Sequence, residues 1–386
     1  MLRWIVCALA LFAGACGGDG ALGGTPANRV GDADGQLGPW LLAEHPCVAN
    51  RTDALWVDDA STWWVGCGTG TQGTGLYRTT DAGASWEIPG NSAALSNMRV
   101  TNVWRDDTDI LYAAGTADNG VRIVEIEGDA VEAFYIRPDD RPQAWETFQV
   151  GTFRMDSTGR AVAESLTGSD VIYWPSGTAE KTNGYGWWEG AIDGGAQILD
   201  LEVYDDRFYG SGSTINQPPY FYFESDQGMG DRFALNAIKL SPDGLNDFTG
   251  EAWDLDIDDD GKAVVAGVNQ DTNVATIWFS DGPLSDPSTW SILDLGFLIS
   301  STTSTATRLY GSCRAGDLIV GVGDYSQRSE ALVVVSTDGG ASWGMAAPPG
   351  TGADAVGPLT RCQILDDSIY VTGANGFIGV LDATAL

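Results

Sequence analysis

Ser336-Thr337-Asp338-Gly339-Gly340-Ala341-Ser342-Trp343 follows the apolar run Leu332-Val333-Val334-Val335. Nearly the same string stands at Thr79-Thr80-Asp81-Ala82-Gly83-Ala84-Ser85-Trp86, after Gly75-Leu76-Tyr77-Arg78. Two copies of Ser/Thr-x-Asp-x-Gly-x-Ser-Trp, each closing an apolar run, read as one hairpin turn built twice. An internal repeat is therefore the first property to test.

Working outward, a second periodicity is carried by acidic turns between apolar runs. Their centres fall at Asp58, Asp106, Asp156, Asp205, Asp258, Cys313 and Asp366, spaced by 48, 50, 49, 53, 55 and 53 residues. Each is followed by a strand-like run ending in small residues, such as Trp63-Trp64-Val65-Gly66 or Val264-Val265-Ala266-Gly267. Asp, Asn and Gly suit such turns because they satisfy backbone groups locally and tolerate tight dihedrals. Asp81 and Asp338 keep a common phase, 23 and 25 residues after their unit centres. Asp281 and Asp226 keep it too, at 23 and 21.

A unit of about fifty residues with four short strands cannot cover both faces of its own sheet, whereas a radial ring of such sheets can. The expectation is an all-β, seven-bladed β-propeller over residues 37–386, with six or eight blades left open as counts. The last unit has room for only three strands, at Arg361 to Leu365, Ile369 to Thr372 and Phe377 to Leu381. Pro39-Trp40-Leu41-Leu42-Ala43 is the candidate for the missing one, which would close the ring by joining both chain ends.

The repeated turn resembles the Asp-box, or bacterial neuraminidase repeat, of sialidases, photosystem II assembly factors, sortilin-type receptors and many exported propellers. The resemblance implies that the box lies between outer strands, its Asp bonding turn amides and its Trp packed between blades. On that reading Asp81, Gly83, Trp86, Asp338, Gly340 and Trp343 are structural. Sialidases also carry an Arg-Ile-Pro segment, three arginines for the substrate carboxylate and a Tyr-Glu pair. No Arg-Ile-Pro occurs here, and the nearest string, Ile136-Arg137-Pro138, has another order.

Composition agrees with many short strands. The 51 glycines are roughly twice the usual share, and 15 Trp and 12 Tyr accompany them. No long stretch carries the i, i+3, i+4, i+7 apolar spacing of a helix. The formal net charge is -33, and Lys181, Lys239 and Lys262 are the only lysines. A surface that negative repels phosphate backbones, so nucleic acid is a poor partner. Cations, basic proteins and neutral glycans remain.

Residues 1–15 read as a signal peptide: Arg3, then the apolar Trp4 to Phe12, then Ala13-Gly14-Ala15. Cys16 follows, and the segment resembles a bacterial lipoprotein signal in which that cysteine is lipidated. Ala13-x-Ala15 would equally serve ordinary signal peptidase and leave Cys16 as a free thiol. Cysteine parity favours lipid, because assigning Cys7 to the removed segment and Cys16 to the anchor leaves an even four of six. Residues 16–36 are rich in Gly, Ala and Asp and read as a flexible tether. The expected location is the bacterial cell envelope, as an outer-membrane lipoprotein facing the periplasm or the exterior, with the lipid as its sole membrane contact.

The four remaining cysteines allow three pairings. Cys47 with Cys67 would tie the closing segment to the first blade, and Cys313 with Cys362 would join first strands of neighbouring units. Asp256-x-Asp258-x-Asp260-Gly261 matches the start of a calcium loop, but Lys262 follows and Gly267 stands where a bidentate Glu belongs. Calcium is thus the one cofactor left open, and no other is implied. His45 is the single histidine, which removes histidine-rich metal sites and makes a Ser-His-Asp triad improbable. Tyr185, Trp187 and Trp188 fall in a loop between units three and four, where aromatics can contact a ligand or pack between blades. The function expected is a non-enzymatic surface scaffold for a protein or glycan, the alternative being a carbohydrate-active enzyme, sialidase-like or another hydrolase or lyase.

Overall fold

The computed structural model describes residues 36–37, 40–43, 46–47, 52–69, 72–106, 109–117, 120–136, 150–165, 171–174, 189–190, 197–213, 218–225, 235–240, 248–297, 306–325, 330–349 and 356–386. Their strands form seven antiparallel sheets. Five sheets have four strands each, following one another in chain order. The innermost strands are Thr52–Val57, Met98–Arg105, Val150–Met155, Gln197–Tyr204, Gly250–Ile257, Thr307–Ala315 and Leu359–Leu365, and they define blades 1 to 7. Each blade packs on the next, and blade 7 packs on blade 1, so the sheets form the ring of a β-propeller. No helix among the described residues is long and apolar enough to cross a membrane.

The core lies between blades. Val264, Ala266 and Ile277 of blade 5 meet Leu309, Ile319 and Val334 of blade 6, while Val320 and Val333 of blade 6 meet Leu359, Val371 and Leu381 of blade 7. Second strands such as Leu111–Ala117 are buried along their whole length because a neighbouring sheet covers each face.

Ring closure follows the sequence expectation. Trp40–Leu42 pairs antiparallel with Ile378–Asp382, with Trp40 opposite Leu381, and Gln36–Leu37 adds a further short strand. Blade 7 therefore joins both ends of the chain. Cys47 bonds to Cys67 and Cys313 to Cys362, with Cα separations of 5.4 and 5.7 Å.

Turn chemistry divides the blades into two kinds. Asp106, Asp156 and Asp258 each accept the main-chain N–H four residues on, from Ile110, Arg160 and Lys262. In blade 1 Asp59 does the capping, through Ser61 and Thr62, which holds its carboxyl down at about 2. Blades 4, 6 and 7 instead use two-residue turns with left-handed Asp205, Asp206, Gly316 and Asp366. One expectation is corrected here. The centre of unit six is not Ser312-Cys313-Arg314, which lies inside the innermost strand; the turn is Gly316-Asp317, between Ala315 and Leu318.

The two Ser/Thr-x-Asp-x-Gly-x-Ser-Trp turns are built alike. Asp81 Oδ1 accepts from Ser85 N–H at 2.8 Å, and Asp338 Oδ1 accepts from Ser342 N–H at 2.8 Å. Thr79 and Ser336 hydroxyls accept from the Gly83 and Gly340 amides at 2.9 and 2.8 Å. The Ser85 and Ser342 hydroxyls also donate to the two carboxylates, and these bonds, followed by the serine amides and the Thr79 and Ser336 hydroxyls, lower both carboxyl pKa values. Trp86 lies against Trp63, itself on Tyr370 of blade 7, and Trp343 lies against Phe279 of blade 5.

Candidate functional site

Every innermost strand carries a β-bulge at the same register, between Thr52/Ala54, Val100/Asn102, Val150/Thr152, Ile198/Asp200, Ala252/Asp254, Leu309/Gly311 and Leu359/Arg361. A bulge bends its strand and re-aims the side chains after it. Beyond the bulges the seven strands surround an axial cavity of about 890 Å³, lined by residues of all seven blades and rimmed by the acidic turns.

Eleven carboxylates and four guanidinium groups line this cavity. Nine of the carboxylates belong to blades 4 and 5, whereas blades 1 and 2 contribute Trp56, Val103 and Trp104. The cavity thus has an acidic wall and an aromatic one.

Polar groups near the axis stitch one blade to the next. Arg105 of blade 2 donates two bonds to Asp58 of blade 1, at 2.7 and 2.5 Å. Asn102 Oδ1 accepts from Phe153 N–H of blade 3, and Arg154 of blade 3 donates twice to Glu202 of blade 4. Asp200 accepts from Leu255 N–H, Asp254 from Ser312 N–H, and Asp256 from Arg314 N–H, spanning blades 4, 5 and 6. The Cys313–Cys362 bridge joins blades 6 and 7, and Gln363 exchanges two bonds with the Val57 main chain to reach blade 1. Arg361 reaches past the side-chain-free Gly311 to Asp254 Oδ1 at 2.6 Å.

Burial and mutual repulsion perturb the acidic wall. Asp256 is pushed up to about 7 by burial and then by the Glu202 charge, against the Arg314 amide bond that lowers it. Asp254 lies well above the carboxylate range through burial, which the Arg361 charge only partly opposes while Asp200 adds to it. Glu202 is also raised by burial, against the pull of Arg154.

Of the residues singled out from sequence, Asp256, Asp258 and Asp260 lie on this cavity, but they do not converge on one point. Asp256 turns to blade 6, while Asp258 Oδ1 accepts from the amides of Asp260 and Lys262 in its own turn. Among the described residues no group of three His, Cys, Asp or Glu is placed to hold a metal. The two repeated turns do not line the cavity. Cys16, Tyr185, Trp187 and Trp188 lie outside the described residues. Sequence reasoning missed Arg154, Asp200, Glu202, Asp254, Arg314 and Arg361. Asp200-Leu201-Glu202 and Asp254-Leu255-Asp256, alternating acids within apolar strands just before a turn, were the available signal.

No known family model matches the sequence, and no curated protein matches it either. Solved structures are similar in fold. YCF48 bound to D1 peptide superposes with a TM-score of 0.58 at 14% identity, covering 89% of this chain and 95% of that one. A virginiamycin B lyase from Staphylococcus aureus gives 0.54 at 10% identity, covering 86% and 94%. The GH74 xyloglucanase from Xanthomonas campestris gives 0.60 at 14% identity, covering 89% of this chain and 53% of that one. Identities this low establish the propeller alone.

Proposed function

We propose that this chain is an exported lipoprotein, anchored through Cys16 at the outer membrane of a bacterial cell envelope, whose propeller is a non-enzymatic binding or assembly scaffold for a protein or glycan. Its repeated turns are read as Asp-boxes that build the blades. The observation that carries the scaffold reading is the use made of the axial charges. Arg105, Arg154, Arg361, Asp200, Asp254 and Asp256 all hold a partner in another blade. Such groups stiffen a ring, and a stiff ring presents a preformed surface at little entropic cost. A fold neighbour carries a bound peptide, which fits the same use. The test is a glycan array combined with a turnover assay on the full mature chain. Binding without cleavage is expected, and cleavage of any glycan overturns the scaffold reading.

A second reading, a carbohydrate-active enzyme, is favoured by one observation. Asp256, pushed up to about 7, shares an open cavity with Glu202, and glycoside hydrolysis needs a protonated carboxyl opposite a second carboxylate. In that case turnover appears in the assay and is lost in both Asp256→Asn and Glu202→Gln.

A further inference from the structure

The seam between blades 4 and 5 is open where its counterparts are shut. In blades 1 and 6 the glycine of the repeated turn closes onto the preceding blade: a Cβ on Gly83 would lie 2.3 Å from Ala43, and one on Gly340 2.3 Å from the Phe279 ring. In blade 5 the same turn is longer. Asp281 and Trp290 stand nine residues apart, against five in Asp81 to Trp86 and Asp338 to Trp343. Phe223 of blade 4 has the register of Phe279, each preceding a side chain that accepts an amide at the start of the second strand, Glu224 from Phe208 and Ser280 from Ala263. Phe279 is capped by Gly340, whereas Phe223 lines an open cavity of about 360 Å³.

Three rings line this cavity. Tyr204 lies on Gly261 of blade 5, at φ 74°, where a Cβ would come within 2.9 Å of the ring. Tyr209 backs onto Phe221 with ring centroids 5.9 Å apart, and Phe221 backs onto Trp290 at 4.6 Å. Tyr204, Tyr209 and Phe223 are each only half-buried, so ring surface stays accessible. Lys262 and Asp281 line the same cavity without pairing with each other. Lys262 is half-buried, and among the described residues its ammonium has no acceptor. Asp281, its side chain 56% exposed, accepts no turn amide as Asp81 and Asp338 do, and its one partner among the described residues is Arg314 at 3.4 Å.

An ammonium offers only donors and a carboxylate only acceptors, while a hydroxyl is both. Adjacent hydroxyls of one sugar ring can therefore serve Lys262 and Asp281 together, while its C–H face covers an aromatic ring. Glu224 and Asp260 also line the cavity, and with the net charge of -33 they disfavour an anionic ligand. We infer that the cavity between blades 4 and 5 binds a neutral oligosaccharide, with a pyranose face on the tyrosines and hydroxyls on Lys262 and Asp281. This rests on the scaffold reading and names the partner as a glycan.

The test is isothermal titration of the full chain with cellotetraose, maltotetraose, mannotetraose and tetra-N-acetylchitotetraose, and with the anionic tetragalacturonate. At least one neutral tetramer is expected to bind with a Kd below about 1 mM. Lys262→Met, which keeps the stem and removes the donors, weakens it about tenfold. Ser285→Trp, an exposed position on the cavity lining, abolishes it by filling the space. Glu132→Gln, on the outer strand of blade 2, leaves binding unchanged. One readout needs no variant: at ten times its Kd the bound tetramer slows acetylation of Lys262 by an N-hydroxysuccinimide ester about tenfold, but not that of exposed Lys239. No binding of any neutral tetramer, tighter binding of tetragalacturonate, undiminished binding in a folded Ser285→Trp, or no protection of Lys262 overturns the inference. Absence of binding leaves the scaffold reading standing with a protein partner. Cleavage of a tetramer overturns the scaffold reading, and leaves this site standing where cleavage persists in Ser285→Trp while its binding is lost.

Discussion

Asp256 shows how a single residue serves the fold at some cost to it. Its carboxyl accepts the Arg314 amide, yet burial and Glu202 push its pKa up to about 7, above the ordinary aspartate value near 3.9 in an unfolded chain. Between those two values the folded chain holds a proton that the unfolded chain has released. Stability therefore falls as pH rises from about 4 to about 7 and levels off above, where both states are ionised. Asp254 and Glu202, raised in the same direction, add to the slope. Asp256→Asn removes the Asp256 share while keeping an acceptor for Arg314. The variant is expected to show a shallower fall in urea midpoint between pH 5 and pH 8, and at pH 8 to be more stable than wild type by ~1–3 kcal/mol. A variant with an unchanged slope would show that Asp256 is already ionised at pH 5.

At the scale of the element, the bulge and the glycine opposite it are one device. In the second strands of five blades, Gly115, Gly212, Gly267, Gly323 and Gly373 stand opposite the residue before the bulge. A Cβ at Gly323 would lie 1.8 Å from the Arg308 carbonyl oxygen, and one at Gly115 equally close to that of Arg99. Gly323→Ala should accordingly cost ~3 kcal/mol or more, since backbone and not a side-chain tip must move. Gly344→Ala, where nothing lies within 4 Å, should stay within ~0.5 kcal/mol. Denaturant melts of the two variants check the contrast. The same device explains what the sequence disclosed. Small residues ending each second strand were legible because turn and glycine requirements are local, and they gave the period and the closing strand. Unit six was displaced because its turn, Gly316-Asp317, has a single acid while Cys313 sat at the average spacing. The cavity was not legible, because Arg154, Asp200, Asp254 and Arg361 stand on four different blades, Arg361 lying 107 residues from its partner Asp254, and they meet only when bulges re-aim them.

For the whole molecule the decisive question is what keeps a ring of seven sheets shut, because a ring open at one interface exposes two apolar blade faces. Two fastenings act on the same segment. Trp40 is fully buried between blades 6 and 7 and donates from Nε1 to the Ala347 carbonyl at 2.7 Å, so Trp40→Ala should cost ~3–5 kcal/mol. Seven residues on, Cys47 pins the chain to Cys67 of blade 1, a link worth ~3 kcal/mol in loop entropy for a separation of 20 residues. While the disulfide holds, a weakened clasp strand stays close to blade 7 and re-forms readily; once it is cut, only the intervening main chain ties the strand to blade 1. The two losses should therefore not add. We predict that Cys47→Ala/Cys67→Ala lowers stability more in the Trp40→Ala background than in wild type, with a coupling of ~1 kcal/mol or more in a double-mutant cycle. Purely additive losses would mean that the disulfide stiffens blade 1 alone and that ring closure rests on the clasp strand.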